Sequence, residues 1–384
     1  MPGFELMGDE ERDAIVDLFD KNGGILFAHG FDGLRKGIFK VREFERAVAD
    51  KLGAKYCQAV SSGSTALLVA LRALGVKPGD EVITTCFTFV ATVEAIIESG
   101  ATPIIAEVDN SLNIDPEDIK KRITKKTKGI IPVHMSGAAA DLDAVMSIAK
   151  KNNLWVMEDA AQGIGAKWSG KSLGTVADIA IYSLDFAKNI TTGEGGLIVT
   201  DNKELYEKAR AYHDHGHEYN PDFPRGLDTR SQPGFNFRMT EIQGAIGLVQ
   251  LGKLDRILEA QRANKKKIKD GLADLGLDYR VIHQPDGDIG DHIIFFCEDE
   301  AKAATVAKAL QDGGVGTKNL PDALTWHYSG TWQHLFHDYP HLANCDKLWP
   351  VSDKLLRRAI AIPVWVKMTD EAIEKAISIV KAQF

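Results

Sequence analysis

Residues 183–196 read SLDFAKNITTGEGG, and their single lysine, Lys188, lies between a short apolar run and a glycine-rich turn. The apolar run, Asp178 to Leu184, has the length and composition of a buried strand. A strand end that opens into an irregular loop is a common place for catalytic groups in α/β proteins, because the framework is rigid and the loop is accessible. A lysine there can form an imine, since partial desolvation favours the neutral amine. On this stretch alone, a solvated surface lysine is the simpler interpretation.

Segments with strand and helix character alternate upstream of Lys188. In chain order they are Val41 to Gly53, Tyr56 to Val60, Ala66 to Leu74, Glu81 to Thr85, Thr102 to Asp109, Pro116 to Ile123, Gly129 to His134, Leu142 to Lys151 and Leu154 to Asp159. This rhythm predicts an α/β fold with a mostly parallel sheet and helices on both faces. Functional groups should then gather at the carboxyl ends of the strands. The residues that fall near such ends are Thr65, Phe89, His134, Asp159 and Ser183.

The pattern changes near Leu251, where a long, charged helical segment runs to Leu275. Beyond it, His292 to Cys297 and Ala301 to Leu310 indicate a small α+β lobe. We therefore predict a large domain over residues 1–250 and a small C-terminal domain over residues 251–384. The N-terminal segment is a candidate to pack on the small lobe.

Composition restricts the class of protein. The chain has 384 residues, 44% hydrophobic and 26% charged, with 46 basic and 54 acidic side chains and a net charge of −8. This balance, without a long basic run, argues against a nucleic-acid partner. No apolar stretch approaches membrane-spanning length and no signal-type segment is visible, so we expect no membrane partner. The four cysteines lack C-x-x-C spacing, which favours reduced thiols and a cytoplasmic location.

A second feature changes the interpretation of Lys188. The segment Leu154 to Asp159 ends in two carboxylates, and Asp159 precedes Lys188 by 29 residues. Pyridoxal phosphate needs an amine for its aldehyde, an anion beside its ring nitrogen, a phosphate site and a flat surface for its ring. Lys188, Asp159, the small-residue turn at residues 61–65 and Phe89 supply these four parts. Taken singly, the turn could be an ordinary serine N-cap and the aspartate an ion pair.

Longer motifs carry a family resemblance. They are SSGSTALLVALRAL, PGDEVI, TFVATVEAI, EDAAQGIGA, GKSLGT, YSLDFAKNITTGEGGLIVTD and GFNFRMTEIQGAIGLVQL. Together they resemble the DegT/DnrJ/StrS family of sugar aminotransferases, a fold-type I, pyridoxal-phosphate-dependent family. The resemblance runs from about residue 5 to residue 260 and is looser to the end of the chain.

A narrower resemblance rests on the opening MPGFEL, the loop His213 to His217 and the segment Thr325 to Tyr328. These are similar to the branch that forms 8-amino-3,8-dideoxy-octulosonate, an eight-carbon acidic sugar, from the 8-oxo sugar. That similarity implies a role in lipopolysaccharide biosynthesis. A nucleotide-linked keto-hexose as the acceptor, a dehydratase activity and a regulatory protein that kept the fold are the alternatives.

The family resemblance implies a role for individual residues. Lys188 matches the Schiff-base lysine that also moves the proton. The cofactor-binding positions are Asp159 at the pyridine nitrogen, Gln162 near the ring hydroxyl, Phe89 as the stacking aromatic, Ser64, Thr65 and Ser183 at the phosphate, and Asn236 reaching the phosphate from the neighbouring subunit. The resemblance therefore implies a homodimer with shared active sites, glutamate as the amino donor and a keto or aldehyde sugar as the acceptor.

The sequence departs from the family at one point. Ser183-Leu184-Asp185 stands where the family usually has S-F-H or S-F-Y, so the role of Asp185 is open. The dehydratase branch replaces the lysine with histidine, and the retained Lys188 favours transamination.

Substrate contacts are expected in the loop that follows. His213, His215 and His217 alternate as metal ligands on one strand face would, but the glycine- and acid-rich surroundings favour a substrate-side loop, and we expect no metal. His215 is our candidate for a substrate contact. Among Arg225, Arg230 and Arg238, which could pair with a substrate carboxylate, Arg230 is the candidate and a structural ion pair is at least as good an interpretation for Arg238. For His134 we expect a hydrogen-bonded core histidine.

Overall fold

The computed structural model describes residues 2–317 and 320–384. The helices are α1 (Pro2–Glu5), α2 (Asp9–Asp20), α3 (Lys40–Leu52), α4 (Gly63–Ala73), α5 (Ala91–Glu98), α6 (Pro116–Arg122), α7 (Leu142–Asn152), α8 (Lys203–Tyr212), α9 (Glu241–Gly271), α10 (Glu300–Asp312), α11 (Leu324–His327), α12 (Pro350–Arg357) and α13 (Asp370–Lys381). The strands are β1 (Tyr56–Val60), β2 (Glu81–Thr85), β3 (Thr102–Ala106), β4 (Thr127–Ile131), β5 (Trp155–Asp159), β6 (Lys167–Trp168), β7 (Lys171–Ser172), β8 (Ile179–Ser183), β9 (Gly196–Thr200), β10 (Asp278–Tyr279), β11 (His292–Phe296) and β12 (Ala359–Pro363).

Seven strands form the main sheet, in the order β1-β9-β8-β5-β4-β2-β3. Strand β9 is antiparallel to its neighbours β1 and β8, the other four pairings are parallel, and all strands except β9 therefore run in one common direction. The predicted α/β fold with a mostly parallel sheet is confirmed. The carboxyl ends of β1, β2, β5 and β8 therefore open at the same edge of the sheet, where α/β proteins bind ligands.

Helices cover both faces of this sheet because its central strands are apolar throughout. In β8, Ile179 and Ile181 belong to the buried cluster that contains α4, whereas Tyr182 belongs to the cluster that contains α3 and α9. Side chains of a strand alternate between faces, so these two clusters lie on opposite sides. A strand buried on both faces reads as a continuous apolar run, which is what made β8 recognisable in the sequence.

The local sequence is sufficient to predict the helix at Val41 to Gly53. The structure has α3 over Lys40–Leu52, with Phe44 and Val48 fully buried. Gly53 ends the helix with a left-handed φ of 76°, a conformation that glycine adopts without the steric penalty of a Cβ.

Helix α9 begins ten residues earlier than the predicted start at Leu251. The sequence Gly244-Ala245-Ile246-Gly247 disfavours a helix by propensity, but tertiary packing requires it. A Cβ at Gly244 would lie 2.6 Å from the backbone nitrogen of Val41, and one at Gly247 would lie 2.7 Å from the Phe44 ring. The two glycines therefore let α9 pack closely against α3. The proposed domain boundary after residue 250 falls inside this continuous helix.

A second, antiparallel sheet, β10-β11-β12, lies in the C-terminal third of the chain. Its core joins the end of α9 to α10 and α13 through buried residues such as Ile268, Phe295 and Val380. The carboxylate of Glu5 accepts a hydrogen bond from the backbone N–H of Lys367, which follows β12. In the part of the chain that the structure describes, no helix combines the length and the hydrophobicity needed to cross a bilayer.

Candidate active site

Asp159 is the last residue of β5 and is only 3% exposed. Its Oδ2 accepts a hydrogen bond from Thr92 Oγ1 at 2.7 Å and its Oδ1 accepts one from the Ala161 N–H at 3.1 Å. Burial raises the pKa of Asp159, while these hydrogen bonds and the charge of Lys188 act in the opposite direction. A buried carboxylate of this kind is stabilised by a cation placed against it. A protonated pyridine nitrogen is such a cation.

The hydroxyl that holds Asp159 belongs to Thr92 of α5, and no motif in the sequence predicts this contact. Thr92 Oγ1 is itself 2.7 Å from Thr88 Oγ1, and both threonines are buried. Thr88 lies before the start of α5 at Ala91, so helical spacing does not connect the two threonines. The two hydroxyls form a buried chain that ends at Oδ2 of Asp159.

Lys188 lies in the loop between β8 and β9, and its side chain is half-buried. It lines a cleft of about 770 Å³ that Asp159 also lines. The positive charge of Lys188 also lowers the pKa of Asp159, in line with their shared cavity. Asp159 and Lys188, which are 29 positions apart in sequence, therefore line one cavity.

The first turn of α4 forms an anion site at the end of β1. Ser62 caps the helix: its Oγ accepts from the Thr65 N–H at 3.1 Å, and its own N–H donates to Thr65 Oγ1 at 3.0 Å. The next N–H groups, of Gly63 and Ser64, belong to the first helical turn and have no acceptor within the helix. Both residues line the cleft. A helix N-terminus of this kind attracts a phosphate.

Ser183 completes this site from the end of β8. A Cβ added to Gly63 would lie 2.8 Å from Ser183 Cβ and 3.0 Å from Ser183 Oγ. Only glycine at position 63 therefore leaves the space between the serine hydroxyl and the helix N-terminus open. Of the three residues predicted at the phosphate, Ser64 and Ser183 line the cleft, whereas the hydroxyl of Thr65 bonds to Ser62 and supports the turn.

Phe89 presents a half-exposed ring to the cleft, with 42% of its surface accessible. Its ring is 6.3 Å from that of Trp326 at an interplanar angle of 14°, and 5.5 Å from that of His327. The backbone N–H groups of Thr88 and Val90 donate to the carbonyl oxygens of His327 and Trp326 at 2.9 and 3.0 Å. This pairing fixes the position of Phe89, so that a flat ring can stack on it.

Gln162 also lines the cleft. Its Oε1 accepts a hydrogen bond from the Ser136 N–H at 2.8 Å, and Ser136 has a left-handed φ of 51°. The amide NH₂ of Gln162 is then the group with donors available to a ligand. The position of Gln162 near a ring hydroxyl stays a prediction.

His134 is the hydrogen-bonded core histidine that the sequence predicts. Its Nε2 lies 3.0 Å from Glu158 Oε2, and its Nδ1 accepts from the Ala140 N–H at 3.2 Å. Burial would raise the pKa of Glu158, but the hydrogen bonds from His134, Gly174 and Ala177 hold that pKa below its ordinary value. The pair fixes the end of β5 directly before Asp159.

The remaining predicted residues lie outside this chain's cleft. Asn236 is exposed and forms a β-bridge with Asp214. His215 is exposed with a left-handed φ of 55°, and Arg230 is exposed. Arg238 forms an ion pair with the fully buried Asp214, in agreement with its structural interpretation.

The three alternating histidines do not converge. His213 is buried, and burial lowers its pKa to about 4, while His217 lies 3.6 Å from Asp228. Within residues 2–317 and 320–384, no group of three or more metal-ligating side chains is found. The side chain of Arg225 lies outside the described part of the structure.

Three further polar atoms belong to residues of the cleft that the sequence patterns do not predict. Gln261 Oε1, His292 Nε2 and Thr317 Oγ1 are buried and have no hydrogen-bond partner in the described parts of the chain. Their residues come from α9, β11 and the loop after α10, and all three line the cleft. An unpaired buried polar group costs about 1–3 kcal/mol, so these atoms are suited to bind polar groups of a ligand.

An anion buried opposite an amine, with a phosphate site and a stacking ring beside them, is what pyridoxal phosphate requires of a protein. The framework around them is that of the fold-type I pyridoxal-phosphate enzymes. The chain belongs to the DegT/DnrJ/EryC1/StrS aminotransferase family, whose model matches residues 34–381.

Relatives extend over most of the chain. It is 34% identical over 341 residues to the GDP-perosamine synthase of Caulobacter vibrioides, with 88% of each protein covered. It is 32% identical over 357 residues to the spore coat polysaccharide biosynthesis protein SpsC of Bacillus subtilis, with 89% of each covered. The crystal structure of NtdA from Bacillus subtilis with bound cofactor PMP has a TM-score of 0.85 and 26% identity, covering 100% of this chain and 84% of that chain. The chain is a pyridoxal-phosphate-dependent sugar aminotransferase.

Proposed function

We propose that this aminotransferase moves the amino group of glutamate onto the 8-oxo group of an eight-carbon acidic sugar, giving 8-amino-3,8-dideoxy-octulosonate. The observation that carries the aminotransferase chemistry is the placement of Lys188 and Asp159 in one cleft. The narrower substrate rests on the sequence features MPGFEL, the loop His213 to His217 and Thr325 to Tyr328. Formation of this sugar would place the reaction in lipopolysaccharide biosynthesis, in the cytoplasm.

Each residue of the cleft has a defined task. When bound, pyridoxal phosphate supplies an aldehyde that takes up the amino group and a protonated ring that accepts electrons. Asp159 holds the proton on the ring nitrogen. Lys188 Nζ carries the proton away from the substrate carbon that bears the amino group. Ser183 and the N-terminus of α4 bind the phosphate, and Phe89 orients the ring.

The cleft favours an acceptor rich in hydroxyl groups. Gln261, His292 and Thr317 offer hydrogen-bond donors and acceptors within the cleft. Sugar hydroxyls can satisfy both kinds of group. This wall therefore suits a sugar better than a purely anionic substrate.

A substrate carboxylate needs a cation, and the described residues that line this cleft provide none besides Lys188. Lys188 is the only lysine or arginine among the described residues that line it. The carboxylates that line it are Asp159, Asp185, Glu194, Asp291 and Asp322. We therefore propose a homodimer in which Arg230 of the partner subunit meets the carboxylate, with His215 of the partner subunit beside it and Asn236 of the partner subunit at the phosphate.

The segment that carries these residues supports this arrangement. Phe223, Leu227 and Phe235 are 47%, 73% and 64% exposed. Large apolar side chains exposed together on one segment are typical of a protein–protein interface. A shared site also explains why predicted ligands lie outside this chain's own cleft.

Complementation between two inactive variants tests the shared site. Lys188→Ala and Asn236→Ala each remove one contribution to every site of their own homodimer. In a mixed dimer, one site combines both changes and the other combines neither. Random mixing should therefore restore about a quarter of the wild-type activity, because half of the dimers have one intact site of two. Activity that stays at the level of the separate variants would contradict the shared site.

An acceptor panel with ¹⁵N-glutamate tests the substrate. The 8-oxo octulosonate should gain the label, which mass spectrometry detects, whereas a GDP-linked keto-hexose should not. The second candidate is a nucleotide-linked keto-hexose as acceptor, which the similarity to GDP-perosamine synthase favours. Label in the hexose alone would replace the octulosonate proposal, and loss of water without gain of nitrogen would indicate a dehydratase instead.

A further inference from the structure

Helix α1 lies against the loop that carries Lys188. The Gly3 N–H donates a hydrogen bond to the carbonyl oxygen of Lys188 at 3.0 Å, and the Lys188 N–H donates to the carbonyl oxygen of Asp185 at 3.1 Å. Both main-chain polar groups of the lysine are therefore fixed, one of them by a residue 185 positions away in sequence. Pro2, which precedes Gly3, is buried and lines the cleft.

Only glycine at position 3 permits this contact. A Cβ there would lie 2.8 Å from Gln250 Oε1, 2.9 Å from the backbone nitrogen of Thr191 and 3.0 Å from Ile190 Cα. Two of these three atoms are backbone, so no side-chain rotation relieves the overlap. Gln250 Oε1 also accepts from the Thr191 N–H at 3.3 Å. Gly3 is thus seated between α9 and the lysine loop.

Phe4 and Glu5, the next two residues, contact two different segments. The ring of Phe4 lies 4.7 Å from that of Phe186, two positions before the lysine. Glu5 Oε2 accepts from the Lys367 N–H at 2.8 Å, and this backbone follows Trp365, which lines the cleft. Helix α1 therefore joins the lysine loop to the segment after β12.

We propose that α1 positions Lys188. Gly3 fixes the main chain of the lysine and Phe4 packs on its loop. Glu5 binds the backbone that follows β12. The direction from which Lys188 Nζ reaches the reacting carbon then depends on α1, which is far from the lysine in sequence. As a statement about the reaction, this inference rests on the proposed aminotransferase function.

The test compares holoenzymes of Gly3→Ala, Phe4→Ala and Phe4→Leu with a matched control, Phe19→Ala. Phe19 is an exposed phenylalanine of α2, 56% accessible, that does not line the cleft. Three quantities are measured: the single-turnover rate of the glutamate-driven change in cofactor absorbance, the pH titration of that absorbance before glutamate is added, and hydrogen exchange of the peptide spanning residues 184–195.

Gly3→Ala should lower the single-turnover rate about 10- to 100-fold, because displacing a catalytic group by about 1 Å has effects of this size. It should also shift the absorbance titration and speed exchange in residues 184–195. Phe4→Ala should act in the same direction with a smaller loss, and Phe4→Leu should restore most of the rate. Phe19→Ala should match the wild type.

Unchanged absorbance titration and exchange in both Gly3→Ala and Phe4→Ala would overturn the proposal. So would an equal loss of rate in Phe19→Ala, which would indicate general destabilisation. If Gly3→Ala does not fold, Phe4→Ala and Phe4→Leu decide the question. If the wild type itself shows no response to glutamate, the proposed function fails, whereas the titration and exchange measurements still test the position of Lys188.

Discussion

Replacing Thr92 with valine should raise the pKa of Asp159 and weaken cofactor binding, most strongly at low pH. Thr92 Oγ1 donates to Asp159 Oδ2 at 2.7 Å, and the two residues are 1% and 3% exposed. Valine keeps nearly the same shape and removes only the donor. Burial already raises the pKa of Asp159, and the Thr92 hydroxyl is the first of the groups that oppose this rise.

The size of the effect follows from the strength of one hydrogen bond. A hydrogen bond to a charged group contributes about 1.5–3 kcal/mol, and one pKa unit corresponds to about 1.36 kcal/mol. The pKa of Asp159 should therefore rise, because the lost hydrogen bond favours the charged form. The protonated acid cannot hold the proton of the ring nitrogen, so affinity falls first on the acidic side. The maximal loss is about 10- to 100-fold in the cofactor dissociation constant.

The assay is a titration of apo-protein with pyridoxal phosphate, followed by tryptophan fluorescence, between pH 6 and pH 9. Thr92→Ser retains a hydroxyl and should bind like the wild type. Thr88→Val removes a group one step further from the carboxylate, so it should lie between the two. Equal affinity of Thr92→Val and wild type at every pH would refute the reasoning, as would a loss in Thr92→Ser as large as that in Thr92→Val.

Two further changes test neighbouring parts of the site. Gly63→Ala places a Cβ 2.8 Å from Ser183 Cβ, so it should weaken the binding of pyridoxal phosphate about tenfold or more and the binding of phosphate-free pyridoxal much less. Equilibrium dialysis measures both affinities. The control is Gly252→Ala, where a Cβ meets nothing within 4 Å. His134→Leu removes a donor from Glu158, whose pKa the folded protein holds below its ordinary value; urea unfolding of apo-protein should show a loss of about 1–3 kcal/mol at pH 7. The loss in free energy of unfolding should shrink as pH falls through the pKa of Glu158, because the stabilisation by a carboxyl group with a lowered pKa disappears when the group is protonated. A loss that does not depend on pH would contradict this explanation.

Local patterns predicted the framework and the two central residues. The strand before Lys188 and the strand ending in Asp159 are short apolar runs, which sequence periodicity identifies well. Parallel strands then bring their carboxyl ends to one edge. The meeting of Asp159 and Lys188 follows from topology alone, without knowledge of any side-chain contact.

Features that depend on packing between distant segments could not be predicted in the same way. The Thr92 hydroxyl reaches Asp159 across 67 positions, and nothing in either segment specifies the other. Helix α9 begins at Glu241 because its glycines pack against α3, although their propensity opposes a helix. The family resemblance implies Thr65 at the phosphate, and the structure adds that its hydroxyl is part of a capping box with Ser62.

The central claim is that Lys188 is the amine to which the cofactor is joined. Reduction of the holoenzyme with borohydride fixes such a bond, and peptide mapping by mass spectrometry then locates it. We expect a single phosphopyridoxyl group, on Lys188, and none in Lys188→Ala. A reduced cofactor on another lysine, or an unmodified Lys188 in protein that contains the cofactor, would contradict it.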